Sequence, residues 1–238
     1  MNRRSFVTRS GLLAATLLGS HAGAQGVSAS VLPATPKLAE PPRGAPLDPA
    51  LVKEFVVAGH ANIPRVRELL ATQPALINAC WDWGAGDFEC ALNGASHIGR
   101  RDMALMLLEA GARLDAPCAA MLGETEFIVT MLRLSPAAAN ARGAHGFSLL
   151  YHAAYSGKVA IASTLHPHLR ERARDCNQAL QPASLAGQTE FVAWLLQHGV
   201  DNPNTKNFQG KTPLDLAVER KHAEVAHLLR AAGGVTTR

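Results

Sequence analysis

The chain has 238 residues, of which 47% are apolar and only 5% aromatic. That balance fits an alanine- and leucine-rich helical protein: one or two domains, or one repeat array. The formal charge is +4, but Arg3, Arg4 and Arg9 of the acid-free first 24 residues supply most of it, and a near-neutral body gives no electrostatic case for nucleic acid or an anionic membrane.

Residues 1–24 read as a secretory signal peptide. Arg3 and Arg4 make a basic start. Gly11 to Gly19 is an apolar run too short to span a bilayer. Ala22 and Ala24 frame an A-x-A cleavage site. Arg3-Arg4 followed by Phe6 resembles the twin-arginine export motif R-R-x-F, which implies export in the folded state to a bacterial periplasm. The alternative is a general export signal that holds two arginines. Residues 25–47 carry Pro33, Pro36, Pro41, Pro42 and Pro46 without an apolar period, which predicts a disordered, proline-rich linker.

From residue 48 the chain reads as short helical hairpins. Each has an anchor between its helices: Asn62, Gly99, Gly123, Gly157, Gly187 and Lys221. The spacings are 37, 24, 34, 30 and 34 residues, three of the five near a period of about 33. Apolar residues recur four and seven or eight places after the anchor. Val66, Leu69 and Leu70 follow Asn62 in this way, and Val225, Leu228 and Leu229 follow Lys221. Thr212 can cap the helix that Pro213 opens. Helices this short bury too little to stand alone, so the units must stack. Ala153-Ala154 and Ala183-Ser184 are small where helices must approach closely.

Thr212-Pro213-Leu214-Asp215-Leu216-Ala217 resembles the ankyrin signature T-P-L-H-x-A, with Asp215 in place of His. Glu109-Ala110-Gly111-Ala112-Arg113-Leu114-Asp115 resembles the end of an ankyrin unit, E-A-G-A-D-V-N. The resemblance covers residues 48–234 and implies an all-α solenoid of about six helical-hairpin units, one shortened. The shortened unit is the third. Its spacing leaves no room for a β-turn finger between Leu114 and Cys118, which implies a gap in any finger-lined groove. Glu219, Arg220, Lys221, His222, Glu224 and Arg230 suit a terminal cap, and residues 235–238 read as a short polar tail. The resemblance further implies a non-catalytic module that binds a protein through its concave face. Exposed aromatics there would anchor the partner. The candidates are Trp81, Trp83, Phe88, His145, Phe147, Tyr151, Tyr155, Lys206 and Phe208. For Trp81 and Trp83 the alternative is packing back onto the first unit.

Chemistry-bearing residues are few. Cys80 and Cys90 flank a loop short enough to close, which predicts a disulfide in an oxidising compartment; the alternative is small apolar filling. Cys118 is expected in a buried helix position and Cys176 in a loop. No C-x-x-C supports zinc. His166 and His168 read as exposed loop residues. His97, His152, His198, His222 and His227 read as structural. Asp82, Asp87 and Glu89 read as a solvated acidic loop, with binding of a cation as the alternative. There is no phosphate loop, nucleophile elbow or H-E-x-x-H. The expectation is therefore no enzyme, no cofactor, no metal, no nucleic acid and no membrane contact after signal cleavage. What remains is a monomer whose partner is a protein, such as an exported enzyme in oxidant defence. An inhibitor or immunity protein that blocks a toxin would use the same surface. A metal-binding or enzymatic repeat scaffold is the third alternative.

Overall fold

Among the described residues, six pairs of short helices follow one another, four of them with a side-chain cap at the first helix. The structure, a computed structural model, describes residues 44–237. The readings at Arg3, Arg4, Phe6, Ala22 and Ala24, and nearly all of the linker, lie outside the described residues. The hairpins are α1 (Pro49–Ala61) with α2 (Ile63–Thr72), α3 (Ala91–His97) with α4 (Arg101–Glu109), and α5 (Ala116–Leu122) with α6 (Thr125–Leu134). They continue as α7 (Leu149–Ser156) with α8 (Val159–Leu165), α9 (Arg172–Leu185) with α10 (Thr189–His198), and α11 (Pro213–Glu219) with α12 (Ala223–Ala231). This is the all-α solenoid of six hairpins that the ankyrin resemblance implies.

Side-chain oxygens take orphan amides at the first helix of four hairpins. Asp48 accepts from Ala50, Asp115 from Cys118, Ser148 from Tyr151 and Thr212 from Asp215, at 2.9 to 3.2 Å. Without such a cap each helix would lose about 1 kcal/mol. Between the helices, Gly99, Gly123, Gly157, Gly187 and Lys221 all take positive φ. Asn62 instead ends α1 and caps α2 by accepting from Arg65 N–H at 3.1 Å.

Fingers stand before alternate hairpins. Before α3 the finger is an antiparallel β-hairpin of β1 (Cys80–Asp82) and β2 (Phe88–Cys90). Before α7 it is a loop in which Arg142 pairs with Ser148 and Gly143 N–H donates to the Phe147 carbonyl at 2.8 Å. Before α11, Asn207 N–H donates to the Lys211 carbonyl at 2.9 Å. The third unit lacks a finger, as expected; Asp115 caps α5 directly. The fifth lacks one too. There α9 runs 14 residues, winding extra turns where a finger would stand. This corrects the placement of Cys176, which is buried within α9 rather than in a loop.

One asparagine before each finger ties successive units. Asn78 accepts from Arg113 N–H at 2.9 Å and donates to the Gly111 carbonyl at 3.4 Å. Asn140 does the same with Arg170 and His168, both at 2.9 Å. Asn204 repeats it with Val235 at 2.7 Å and Gly233 at 3.0 Å. Each amide side chain stands in for a backbone pair that irregular loops would leave unmet. The tail is therefore not free. Thr212 Oγ1 also donates to the Val235 carbonyl at 2.7 Å, and Thr237 donates to Asp215.

The core divides at α5. Cys118, Met121 and Leu122 pack toward Val52, Phe55, Leu92 and Met103. Ala119 and Ala120 face the other way, into a cluster that runs on through Leu150, Phe191 and Leu214 to Leu229. Ala153, Ala154, Ala183 and Ser184 are fully buried at helix contacts, as their size requires.

Candidate functional site

The hairpin β1–β2 is built from alternation. Trp81 and Glu89 lie opposite one another on the ladder, as do Asp82 and Phe88. Gly84, Ala85 and Gly86 take positive φ at its tip. Glu89 points inward and is fully buried. Phe88 points outward and is 59% exposed. The hairpin leans across the finger-less third unit and reaches the finger before α7. Asp87 Oδ1 accepts from His145 N–H and Asp87 Oδ2 faces His145 Nδ1, both at 2.8 Å. The gap expected in the groove is thus bridged. An open cleft of about 890 Å³ lies between the two fingers, lined by Asp87, Phe88, Asn93, Asp115, Arg142 and His145.

The sequence-selected aromatics separate into two groups. Phe88 and Phe208 are exposed, Phe208 at 94%. Lys206 is exposed beside it. Trp81, Phe147, Tyr151 and Tyr155 turn inward, while Trp83 and His145 stay partly open to solvent. Trp81 packs against the first core cluster. The Lys53 ammonium lies 5.3 Å from the Trp81 ring and 5.8 Å from that of Trp83. Trp83 Nε1–H donates to Glu89 Oε2 at 2.7 Å. The packing alternative therefore describes Trp81 fully and Trp83, still 39% exposed, in part.

Phe147 stacks on Tyr151 at 4.1 Å. Both Tyr151 and Tyr155 hydroxyls donate to the His97 carbonyl at 3.1 Å. This corrects the expectation that Tyr151 and Tyr155 are surface anchors. They are struts that cross the narrow, alanine-rich α5 and hold α7 to the end of α3. Burial accordingly raises both phenol pKa values.

The expected Cys80–Cys90 disulfide is absent; both are free thiols. They face each other across the ladder. Burial pushes Cys90 up to about 11 and raises Cys80. Each thiol is turned to another acceptor: Cys80 Sγ–H donates to the Asn78 carbonyl at 3.8 Å and Cys90 Sγ–H to Asn93 Oδ1 at 3.1 Å.

The acidic-loop reading also needs correction, because Glu89 is not solvated. Its Oε1 lies 3.3 Å from His60 Nε2, 3.1 Å from His97 Nδ1 and 3.7 Å from His145 Nε2. Burial opposes its charge, but the His60 and His97 rings outweigh burial and hold the carboxyl well below the usual range. The same contact, led by Glu89, raises His60. His97 is thus part of a polar cluster rather than a filler. His152 is the buried, neutral histidine: burial first, then His97, push it down to about 3. His60 carries no local motif. It sits in the last turn of α1, and only the fold brings it to Glu89.

Among known families, a model described as ankyrin repeats (3 copies) matches residues 166–237. That stretch contains α9 to α12, the part of the stack with the most regular core.

Proposed function

We propose that this chain is a non-catalytic binding module that grips a protein partner through its finger face in the bacterial periplasm. The observation that carries the reading is the ankyrin match at 166–237, because ankyrin repeats are scaffolds for protein contact. Two large apolar side chains left in solvent on alternate fingers, Phe88 and Phe208, support it. Exposed aromatics of this kind act as anchors. The basic start at Arg3-Arg4 and the A-x-A at 22–24 support export. The partner fitting this setting is an exported enzyme, for example one in oxidant defence.

Affinity capture from periplasmic extract tests the reading. One stoichiometric enzyme should be retained, and the Phe88→Ala, Phe208→Ala double variant should lose it while its melting temperature stays within about 2–4 °C of the parent's. Retention of no protein, or retention that the double variant leaves unchanged, would sink it.

A further inference from the structure

We propose that His60, Glu89 and His97, completed by His145, form a binding site for one divalent transition-metal ion of the zinc class. The ligand atoms would be His60 Nε2, Glu89 Oε1, His97 Nδ1 and His145 Nε2. The first three already lie within 4.8 Å of one another. Their approaches to Glu89 Oε1, 3.3 and 3.1 Å, match the about 3.3 Å edge of a tetrahedron whose metal–ligand bonds are about 2.0 Å. His145 Nε2, at 3.7 Å, needs only a small inward shift.

The donors are close without being bonded to one another. Glu89 Oε1 and His97 Nδ1 are buried, and neither has a hydrogen-bond partner. Buried polar atoms in that state are rare and need an explanation. They lie 3.1 Å apart without being aligned as a hydrogen bond, which leaves both open to a shared ligand. An ion bound by both satisfies both.

The surroundings fix the ring faces as metal sites require. His60 Nδ1 faces the Val56 carbonyl oxygen at 3.1 Å, and His145 Nδ1 faces Asp87 Oδ2 at 2.8 Å. Each oxygen needs the N–H there, which leaves Nε2 of both rings for the ion. Trp83 pins the other Glu89 oxygen. His145 is a non-glycine residue at φ 59, held there by Asp87; such a conformation persists only where the surroundings impose it. The charges of Glu89 and Asp87 together balance a divalent cation. The ligands come from α1, β2, the end of α3 and the finger before α7, so the ion would clamp the β-hairpin across the short third unit.

The test is titration of the purified chain with zinc chloride against a competing chelator, with cobalt(II) absorption reporting geometry. The expected result is one ion per chain with intense tetrahedral cobalt bands. Glu89→Gln and His97→Ala should each lose more than about 100-fold in affinity, and Asp87→Asn, which alters only the oxygen facing His145 Nδ1, about 10–100-fold. His166→Ala, at the other exposed histidine cluster, should bind as the parent does. Circular dichroism checks that each variant is folded. No saturable one-to-one binding by the parent overturns the proposal. So does parental affinity in Glu89→Gln, or loss of binding in His166→Ala. An unchanged His145→Ala overturns the assignment of the fourth ligand.

Discussion

The last two hairpins and the first two bury their stripes alike but are held together differently. In α9–α12, Leu180, Phe191, Leu195, Leu214 and Leu229 belong to one unbroken apolar cluster, and all are buried. Its buried acids are both paired: Asp175 of α9 with Arg142, and Asp215 in capping α11. In α1–α4 the apolar cluster around Phe55 and Leu92 abuts a polar knot, Glu89 with three histidines. The finger there is longer and crosses to a distant unit. In a stack each unit answers mainly to its neighbours. A unit can therefore take on polar chemistry locally while the rest keeps the regular pattern.

The largest test of this contrast concerns independence. Phe55 and Phe191 are both fully buried, one in each cluster. Removing either ring by substitution to Ala should cost about 3–5 kcal/mol. Phe55→Ala should melt the first hairpins while α7–α12 persist, giving two steps in urea followed by circular dichroism. Phe191→Ala should weaken the larger cluster first. A single coincident transition in both variants would break the division at α5 and make the stack one cooperative body.

A smaller effect probes the struts. Gly99 takes φ +74, and a Cβ there would meet the Tyr155 ring at 2.3 Å. Gly111 takes φ +97 with open space around it. Gly111→Ala should cost only the left-handed backbone penalty, about 1–2 kcal/mol. Gly99→Ala should cost that and about 1–3 kcal/mol more for overpacking. Denaturant midpoints of the two variants give the difference directly. Equal losses would mean that Tyr155 does not brace α7 on α3.

Much of the scaffold was legible in the sequence because it repeats. The anchors at Gly99, Gly123, Gly157 and Gly187 and the +4 stripe depend on local geometry alone. So did the missing finger after Leu114, which is a matter of length. The missing fifth finger was not legible, since a 30-residue spacing accommodates either a loop or the extra turns of α9. The site was legible least. Glu89 lies next to Phe88 and near Asp82 and Asp87, and in sequence it looks like a wet acidic loop. Only strand alternation turns it inward while Phe88 turns out. His60 and His145 stand 29 and 56 positions from it, with no spacing rule to join them. Tyr151 and Tyr155 misled because aromatics on a finger-side helix look like anchors until the narrowness of α5 leaves room for them to cross.

The smallest effect returns to two of the three buried carboxylates among the described residues, Asp215 and Glu89, the third being Asp175 beside Arg142. Asp215 Oδ2 accepts from the Thr212 amide and from the Thr237 hydroxyl, at 2.8 and 2.7 Å. Burial works against its charge, yet these donors hold its pKa below the usual value. A group depressed in this way stabilises the fold fully above its unfolded pKa of about 4 and loses that contribution as pH falls through the folded value. Asp215→Asn should therefore cost about 1 kcal/mol at neutral pH, and the two proteins should converge as pH drops toward about 2. Urea midpoints at each pH read this out. A gap that survives at the low end would assign the effect to shape rather than charge. The contrast with Glu89 then becomes sharp. Asp215 is charged and its donors are amides and hydroxyls of its own end cap, so nothing further is needed to satisfy it. Glu89 Oε1 is equally buried and has no such donor. The stack caps Asp215 with its own end and leaves Glu89 facing three imidazoles, the arrangement on which the proposed metal site rests.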